Sequence, residues 1–106
     1  MAIEEIAQPT AVEVRFRKLA QEWKAERAPT SSVEKLAIHP AYQQIIDLGP
    51  DVLPAIFREL ERAPDHWFWA LRALTGENPV APDHRGNLRS MADDWVEWAK
   101  QQGYEW

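Results

Sequence analysis

The sequence of 106 residues contains no cysteine, and several kinds of chemistry are thereby excluded. Without thiols there are no disulfide bonds, no zinc sites built on thiolates and no cysteine nucleophile. A chain without cysteine also suits a reducing compartment, and we expect a cytoplasmic protein. Glycine is scarce as well, and none of the four glycines belongs to a glycine-rich phosphate loop.

Long apolar runs are also missing. No stretch reaches the roughly 18 apolar residues that a membrane-spanning helix requires, so we expect no membrane association. The first ten residues, MAIEEIAQPT, carry two glutamates where a secretory signal has positive charge. We expect residues 1–9 to be a flexible tail and residues 10–106 to form a single helical domain, a size at which one core can be buried.

Positive charge is the third shortage. Lysine and arginine number 12 against 17 aspartates and glutamates, which gives a formal charge of −5. Such a chain repels phosphate backbones, so we expect no nucleic-acid partner, and a basic protein is the more natural electrostatic partner. A basic face within residues 15–27 keeps nucleic-acid binding open as an alternative, although a solvated helix face has the same composition. The oligomeric state cannot be derived from charge.

Tryptophan, in contrast, is abundant, with six residues in the chain. The segment DHWFWALRALTGENPV, residues 65–80, is apolar on nearly every side of a helix, which is typical of a buried element. Trp67, Leu71 and Leu74 share one face, and we predict that they lie in the core. Asp65 precedes them and is the predicted N-cap residue.

Other aromatic residues are candidates for contact with a partner. Phe68 and Trp69 point away from the predicted core face, so they either contact further helices or reach the surface. An exposed Trp69 would be a good anchor, because tryptophan is enriched at binding hot spots. At the C-terminus, Trp98, Tyr104 and Trp106 either dock on a partner or fold back on the core.

Hydrophobic periodicity predicts an all-α fold of five to six helices and no strand. Thr10 with Glu13, and Ser31 with Glu34, have the spacing of a capping box, which marks a helix start. Proline and glycine residues separate the later helices. The predicted helices begin at Thr10, Ser31, Pro40, Pro50, Asp65 and Asn87.

The segment YQQIIDLGPDVLPAIFREL, residues 42–60, resembles a HEAT-type helical hairpin. Aliphatic residues line its first half, a Leu-Gly-Pro turn follows, and a Leu/Ile/Phe stripe lines its second half. The resemblance implies stacked antiparallel hairpins in one compact domain, since a single hairpin cannot bury its own apolar faces. It also implies that residues 67–76 and 91–99 pair as a second hairpin.

A longer pattern is similar to an uncharacterised family of small bacterial proteins. It comprises HPAYQQIIDLGPDVLPAIFREL, HWFWALRALTGENPV and MADDWVEWAKQQGY, within residues 39–104. The similarity implies a bacterial, cytoplasmic, stand-alone protein. It brings no catalytic residues with it.

The ionisable residues give little indication of catalysis. His39, His66 and His84 lack the spacing of a metal site, so we expect neither a metal nor another cofactor. Asp93 and Asp94 are adjacent on a helix, where neighbouring side chains point in different directions. We therefore expect a protein that is not an enzyme.

The loop of residues 76–87 contains the densest ionisable cluster. Asp83, His84 and Arg85 are consecutive, and with Glu77 and Asn78 they could line one side of a pocket. Polar residues that only solvate a long connection would have the same composition. Both interpretations stay open from the sequence.

The sequence thus favours a non-catalytic protein–protein interaction module, acting as an antitoxin, an inhibitor or a regulatory subunit. The expected partner is another protein, either basic or encoded by a neighbouring gene. The alternative is a small-ligand-binding or catalytic domain that uses residues 77–85, with Glu77, His84 and Arg85 converging near Trp67 or Trp69. The candidate partner-binding residues are Trp69, Glu77, Asn78, His84, Arg85 and Trp106.

Overall fold

The chain folds as six α-helices within the residues that the structure, a computed structural model, describes, which are 10–27 and 32–106. Two short 3₁₀ helices, Pro50–Val52 and Pro82–His84, lie between them. No strand occurs in these two ranges, and the all-α prediction is confirmed. The predicted tail lies outside the described residues. The helices are α1 (Ala11–Glu26), α2 (Val33–Ile38), α3 (Pro40–Asp47), α4 (Leu53–Arg62), α5 (Phe68–Thr75) and α6 (Leu88–Gln101).

Two helix starts follow directly from the local sequence. The Thr10 hydroxyl accepts a hydrogen bond from Glu13 N at 3.1 Å, and the Glu13 side chain accepts one from Thr10 N at 3.3 Å. The Asn87 side chain accepts from Ser90 N at 2.9 Å at the start of α6. Each bond satisfies a backbone amide that has no partner within its helix. The predicted capping box and the predicted Asn87 cap are therefore confirmed.

The start of α2 differs from the prediction by one residue. Ser32 is the N-cap residue, and its hydroxyl accepts from Lys35 N at 3.2 Å. The predicted cap, Ser31, lies outside the described residues. Two adjacent serines offer nearly the same capping geometry to a helix start, so spacing alone could not choose between them.

The start of α5 was also predicted wrongly. Asp65 does not cap this helix, which begins at Phe68 with Trp67 as its N-cap residue. The Asp65 carboxylate instead receives two hydrogen bonds from the Arg27 guanidinium, at 2.9 and 3.0 Å, and one from His66 N at 2.8 Å. A bidentate pair of this kind is among the stronger side-chain contacts in proteins. It joins residues 38 positions apart, which local spacing cannot indicate.

A side chain from α3 completes the start of α5. The Tyr42 hydroxyl accepts a hydrogen bond from Ala70 N at 3.0 Å and donates one to the His66 carbonyl at 2.9 Å. Ala70 N belongs to the first turn of α5, where backbone amides have no helical partner. Tyr42 is fully buried, and burial raises the pKa of its phenol, so the hydroxyl keeps the proton that it donates. Tyr42 thus supplies the cap that the sequence next to α5 lacks.

The aromatic residues of the N-terminal half form the first of two core clusters. Trp67 lies 4.7 Å from Trp23 and 5.3 Å from Phe16, measured between ring centroids, and its ring is stacked on that of Tyr42 at 5.9 Å. The Trp23 indole N–H donates to the Leu36 carbonyl at 2.9 Å and thereby joins α1 to α2. Aromatic pairs at these separations add to the energy of area burial. The predicted core position of Trp67 is confirmed.

The second cluster surrounds Phe57 on α4. The ring centroids of Trp98, Tyr104 and Trp106 lie 6.4, 5.3 and 5.4 Å from that of Phe57. The Trp106 indole N–H also donates to the Glu61 carboxylate at 2.9 Å. Of the two alternatives for the aromatic C-terminus, the structure has the one in which it folds back on the core.

The helices with the most extensive contacts share an aromatic cluster and are not consecutive in the chain. The most extensive backbone contacts join α1 to α3 and α4 to α6, and α3 also packs on α5. The predicted glycine turn is present at Gly49, with a φ of 84°. The pairing of residues 67–76 with 91–99 was wrong, because the aromatic cluster around Phe57 holds α6 mainly against α4.

We expect Tyr42→Phe to lower the free energy of unfolding by about 1–3 kcal/mol, because the buried Ala70 amide loses its acceptor while ring packing is kept. Denaturation by urea would measure the change. Tyr104→Phe is the matched control, since its ring packs on Phe57 and lies outside the start of α5. Equal effects of the two substitutions would contradict the capping role of Tyr42.

Candidate functional site

Helix α5 divides its aromatic residues between core and surface. Trp67, directly before it, is fully buried, whereas the Trp69 side chain is 51% exposed. Phe68, for which both contact with further helices and surface exposure were left open, is buried. Trp69 is one of three large apolar side chains that are exposed among the described residues. Because tryptophan is enriched at binding hot spots, its exposed face is a candidate contact surface.

The loop after α5 begins at a glycine in the left-handed region. Gly76 has a φ of 74°, and its N–H donates to the Arg72 carbonyl at 2.8 Å, which ends the helix. A residue with a side chain is strained in this conformation. The loop then runs to Asn87 and contains only the 3₁₀ turn at 82–84, so the predicted irregular segment is confirmed.

Asp94 on α6 anchors this loop. A single carboxylate oxygen, Oδ2, accepts from Ala81 N at 3.0 Å and from His84 Nδ1 at 2.7 Å. The hydrogen bond to Asp94 raises the pKa of His84, and the negative charges of Asp94, Asp83 and Asp93 add to this effect. Burial alone would raise the pKa of Asp94, but the bonds from His84 and Ala81 hold it below its usual value. The loop is thus tied to α6 at two points.

A groove lies between α5, this loop and the start of α6, and we call it the loop groove. Its volume is about 580 Å³, within the range of pockets that bind ligands. Its floor consists of five buried or half-buried apolar side chains, namely Phe68, Val80, Leu88, Met91 and Trp95. The remaining lining residues form its rim, and these are the half-buried His66 and the exposed Trp69, Arg72, Asn78, Arg85 and Gly86.

A second, smaller pocket of about 310 Å³ adjoins the loop groove. The two share Trp69, Arg72 and Asn78, and the smaller pocket continues past them to Gly76 and Glu77. Together they form one extended depression along the outer face of α5. This shape suits an elongated ligand better than a compact one.

The six candidate residues from the sequence do not all meet at this site. Trp69, Asn78 and Arg85 line the loop groove, and Glu77 lines only the adjoining pocket. His84 pairs with Asp94 and is absent from the lining of both.

Trp106 packs in the other aromatic cluster, against Phe57 and Glu61. The convergence of Glu77, His84 and Arg85 near a tryptophan, which the catalytic alternative required, is therefore not found. The predicted catalytic geometry was wrong.

Sequence patterns did not indicate two groups of residues that belong to the site. Arg72 and Met91 line the groove from helices whose periodicity indicated only solvated and core faces. Asp94 anchors the loop although the adjacent carboxylates gave no sign of which one would turn inward. The only available signal was the position of Asp94 nearly two turns into α6, next to a loop that contains a histidine.

The charge of the loop groove is opposite to that of the whole chain. Its ionisable residues are His66, Arg72 and Arg85, and no carboxylate occurs among the described residues that line it. In the part of the chain that the structure describes, neither Arg72 nor Arg85 forms an ion pair. Both arginine side chains are exposed and remain available to an anionic group.

Two wider features of the site were also tested. The described residues contain no cluster of three histidines, aspartates or glutamates placed to hold a metal ion. Among the described helices, none combines the length and the apolar character needed to span a bilayer.

Comparison of the chain with protein-family models, curated protein sequences and solved structures gives no match. Function therefore has to be inferred from the groove itself, and the similarity to a bacterial family stays a prediction.

We expect the stability contribution of His84 to depend on pH. Because its folded pKa is raised above 6.5, the contribution is complete below pH 6.5 and is lost as pH rises through the raised value. At acidic pH it is lost again as pH falls through the lowered pKa of Asp94, below 3.8. Urea denaturation of the wild type and His84→Asn should therefore differ more at about pH 5.5 than at about pH 9.

The matched background for this measurement is Asp94→Asn, which removes the charge that faces His84. In that background we expect His84→Asn to have nearly the same effect at both pH values. A difference between wild type and His84→Asn that is the same at the two pH values would contradict the loop anchor.

Proposed function

We propose that this chain is a non-catalytic interaction module that binds a segment of another protein in the loop groove. The observation that supports this most is Trp69, a half-exposed tryptophan on the rim of an apolar groove. Tryptophan is enriched among the residues that contribute most to binding energy at protein interfaces. A large indole left partly in water at this position is accounted for by a partner that covers it.

The groove is also held in place before any partner binds. The Tyr42 hydroxyl and the buried Trp67 fix the start of α5, and Asp94 ties the loop at Ala81 and His84. A surface that is already ordered loses less conformational entropy on binding, so more of the contact energy appears as affinity. These supports favour a binding surface built on the fold over a loop that only connects two helices.

The small-ligand or catalytic alternative has less support. It depended on Glu77 and His84 acting beside Arg85, but His84 is paired with Asp94, and Glu77 lies on the far side of the residues that the two pockets share. The loop groove therefore lacks a carboxylate to act with its histidine, among the described residues that line it. The carboxylate–histidine pair that the loop does contain, His84 with Asp94, lies outside the lining of the groove, so general acid–base catalysis within the groove has no such pair to use.

The biological role that we propose is that of an antitoxin, an inhibitor or a regulatory subunit. Each of these roles requires only that the module covers a functional surface of its partner. The net charge of −5 supports a partner with a basic surface around the contact. A partner encoded by a neighbouring gene is the corresponding genetic expectation.

We expect a photo-reactive phenylalanine analogue at position 69 to crosslink the full chain to a specific protein in cells of the source organism. Val14 is the matched control position, because it is 52% exposed on α1 whereas Trp69 is 51% exposed on α5. Both positions accept a bulky apolar side chain at the surface. Electrophoresis of the irradiated cells, followed by mass spectrometry of the adduct, gives the readout.

A single adduct that forms from position 69 and not from position 14 supports the proposal. Adducts of the same size and intensity from both positions would show that exposure alone determines crosslinking. The absence of any protein adduct from position 69 would also contradict a protein partner at the loop groove.

A further inference from the structure

We infer that the segment bound by the loop groove is both acidic and apolar, with a large apolar side chain next to one or more carboxylates. This inference rests on the proposed function and adds the chemistry of the partner segment. It is carried by the juxtaposition of two exposed arginines with an apolar floor. The preferred segment is therefore opposite in charge to the basic partner that the net charge of the chain suggests.

The first step concerns the two arginines. Ion pairing within the described residues engages Lys24, Arg27, Arg58, Arg62 and Lys100, each with a carboxylate of this chain. Arg72 and Arg85 have no such partner in the described part of the chain, although carboxylates outnumber basic groups overall. A guanidinium group offers a fork of donors that matches a carboxylate. The two rim arginines thus retain this capacity for a partner.

Among the described residues, the neighbouring carboxylates form no ion pair with these arginines, although Glu77 lines the adjoining pocket together with Arg72. Asp94 is engaged by the Ala81 amide and the His84 ring, and Asp83 is absent from the lining of the groove. Glu77 lines only the adjoining pocket. A carboxylate supplied from outside is therefore the complementary group for the rim of the loop groove.

The second step concerns the floor. Phe68, Val80 and Trp95 are buried side chains, while Leu88 and Met91 are half-buried and leave part of their surface in the groove. Methionine adapts its shape to different apolar partners, which suits a site that accepts a side chain from another protein. Covering this floor and Trp69 with an aromatic or large aliphatic side chain removes apolar surface from water. A ligand that bound only through its charge would leave this apolar floor uncovered.

The third step concerns the class of macromolecule. A single-stranded nucleic acid also offers negative charge and flat bases, and Trp69 could stack on a base. The chain as a whole carries a charge of −5, however, and its two groove arginines do not continue into a basic track among the groove residues. A polyanion several residues long would meet repulsion beyond the groove, whereas a short acidic and apolar peptide would not.

The experiment is a selection of random dodecapeptides, displayed on phage, against the immobilised full chain. Enriched peptides are synthesised with a fluorescent label, and their affinities are measured by fluorescence anisotropy. We expect the enriched peptides to combine a tryptophan, phenylalanine or leucine with adjacent aspartate or glutamate. We expect the double variant Arg72→Glu and Arg85→Glu to weaken their binding by about tenfold or more.

The matched control is the double variant Arg15→Glu and Lys18→Glu. These two residues are exposed on α1, and the variant changes the formal charge by the same amount as the groove variant. We expect it to weaken binding by less than about threefold, because the charges lie away from the groove. The neutral pair Arg72→Gln and Arg85→Gln should give an intermediate loss. Circular dichroism establishes that each variant is folded.

Several results would overturn the inference. Enrichment of basic or uncharged peptides would do so, and so would equal losses in the groove and control variants. Displacement of the bound peptide by an unlabelled oligothymidine would indicate a nucleic-acid site instead. If the enriched peptides are basic or uncharged but lose binding on Trp69→Ala, the inference fails and the proposed function stands. If no peptide is enriched and position 69 gives no protein adduct, both fail.

Discussion

The surface that we propose as the binding site depends on one buried contact, the hydrogen bond from Ala70 N to the Tyr42 hydroxyl. Helix α5 has no side chain of its own that caps its first turn, because Asp65 is engaged by Arg27. Tyr42 supplies the missing acceptor from α3 and also binds the carbonyl of His66. The helix is therefore fixed where Trp67 points into the core and Trp69, two residues later, is partly exposed.

This arrangement links the aromatic core to the proposed binding groove. The cluster around Trp67 stabilises the fold, and the same helix carries Trp69 and Arg72 on the rim of the loop groove. Asp94 completes the other side by holding the loop at Ala81. The groove is thus formed by two separate supports, one in the core and one at the surface, each of which can be removed without the other. Its lining is locally positive within an acidic chain, which is the basis of the selectivity that we propose.

The features that could be derived from the sequence are the ones with local causes. The caps at Thr10 and Asn87 and the glycine turn at Gly49 depend on neighbours within four residues, and all three were predicted. Periodicity also gave the all-α fold and the burial of Trp67. The loop between residues 76 and 87 was predicted as a candidate site because it contains the densest ionisable cluster. Trp69 was predicted as a candidate anchor because it points away from the core face of its helix.

The remaining features depend on contacts between distant residues. Asp65 does not act as the predicted cap because it pairs with Arg27, 38 positions away, and α6 packs on α4 because of the aromatic cluster around Phe57.

The most direct measurement of the central contact is native-state hydrogen exchange at the Ala70 amide, followed by NMR. We expect this amide to exchange only through global unfolding, with the same opening free energy as denaturation gives. Exchange as fast as that of an exposed loop amide would contradict the cap by Tyr42.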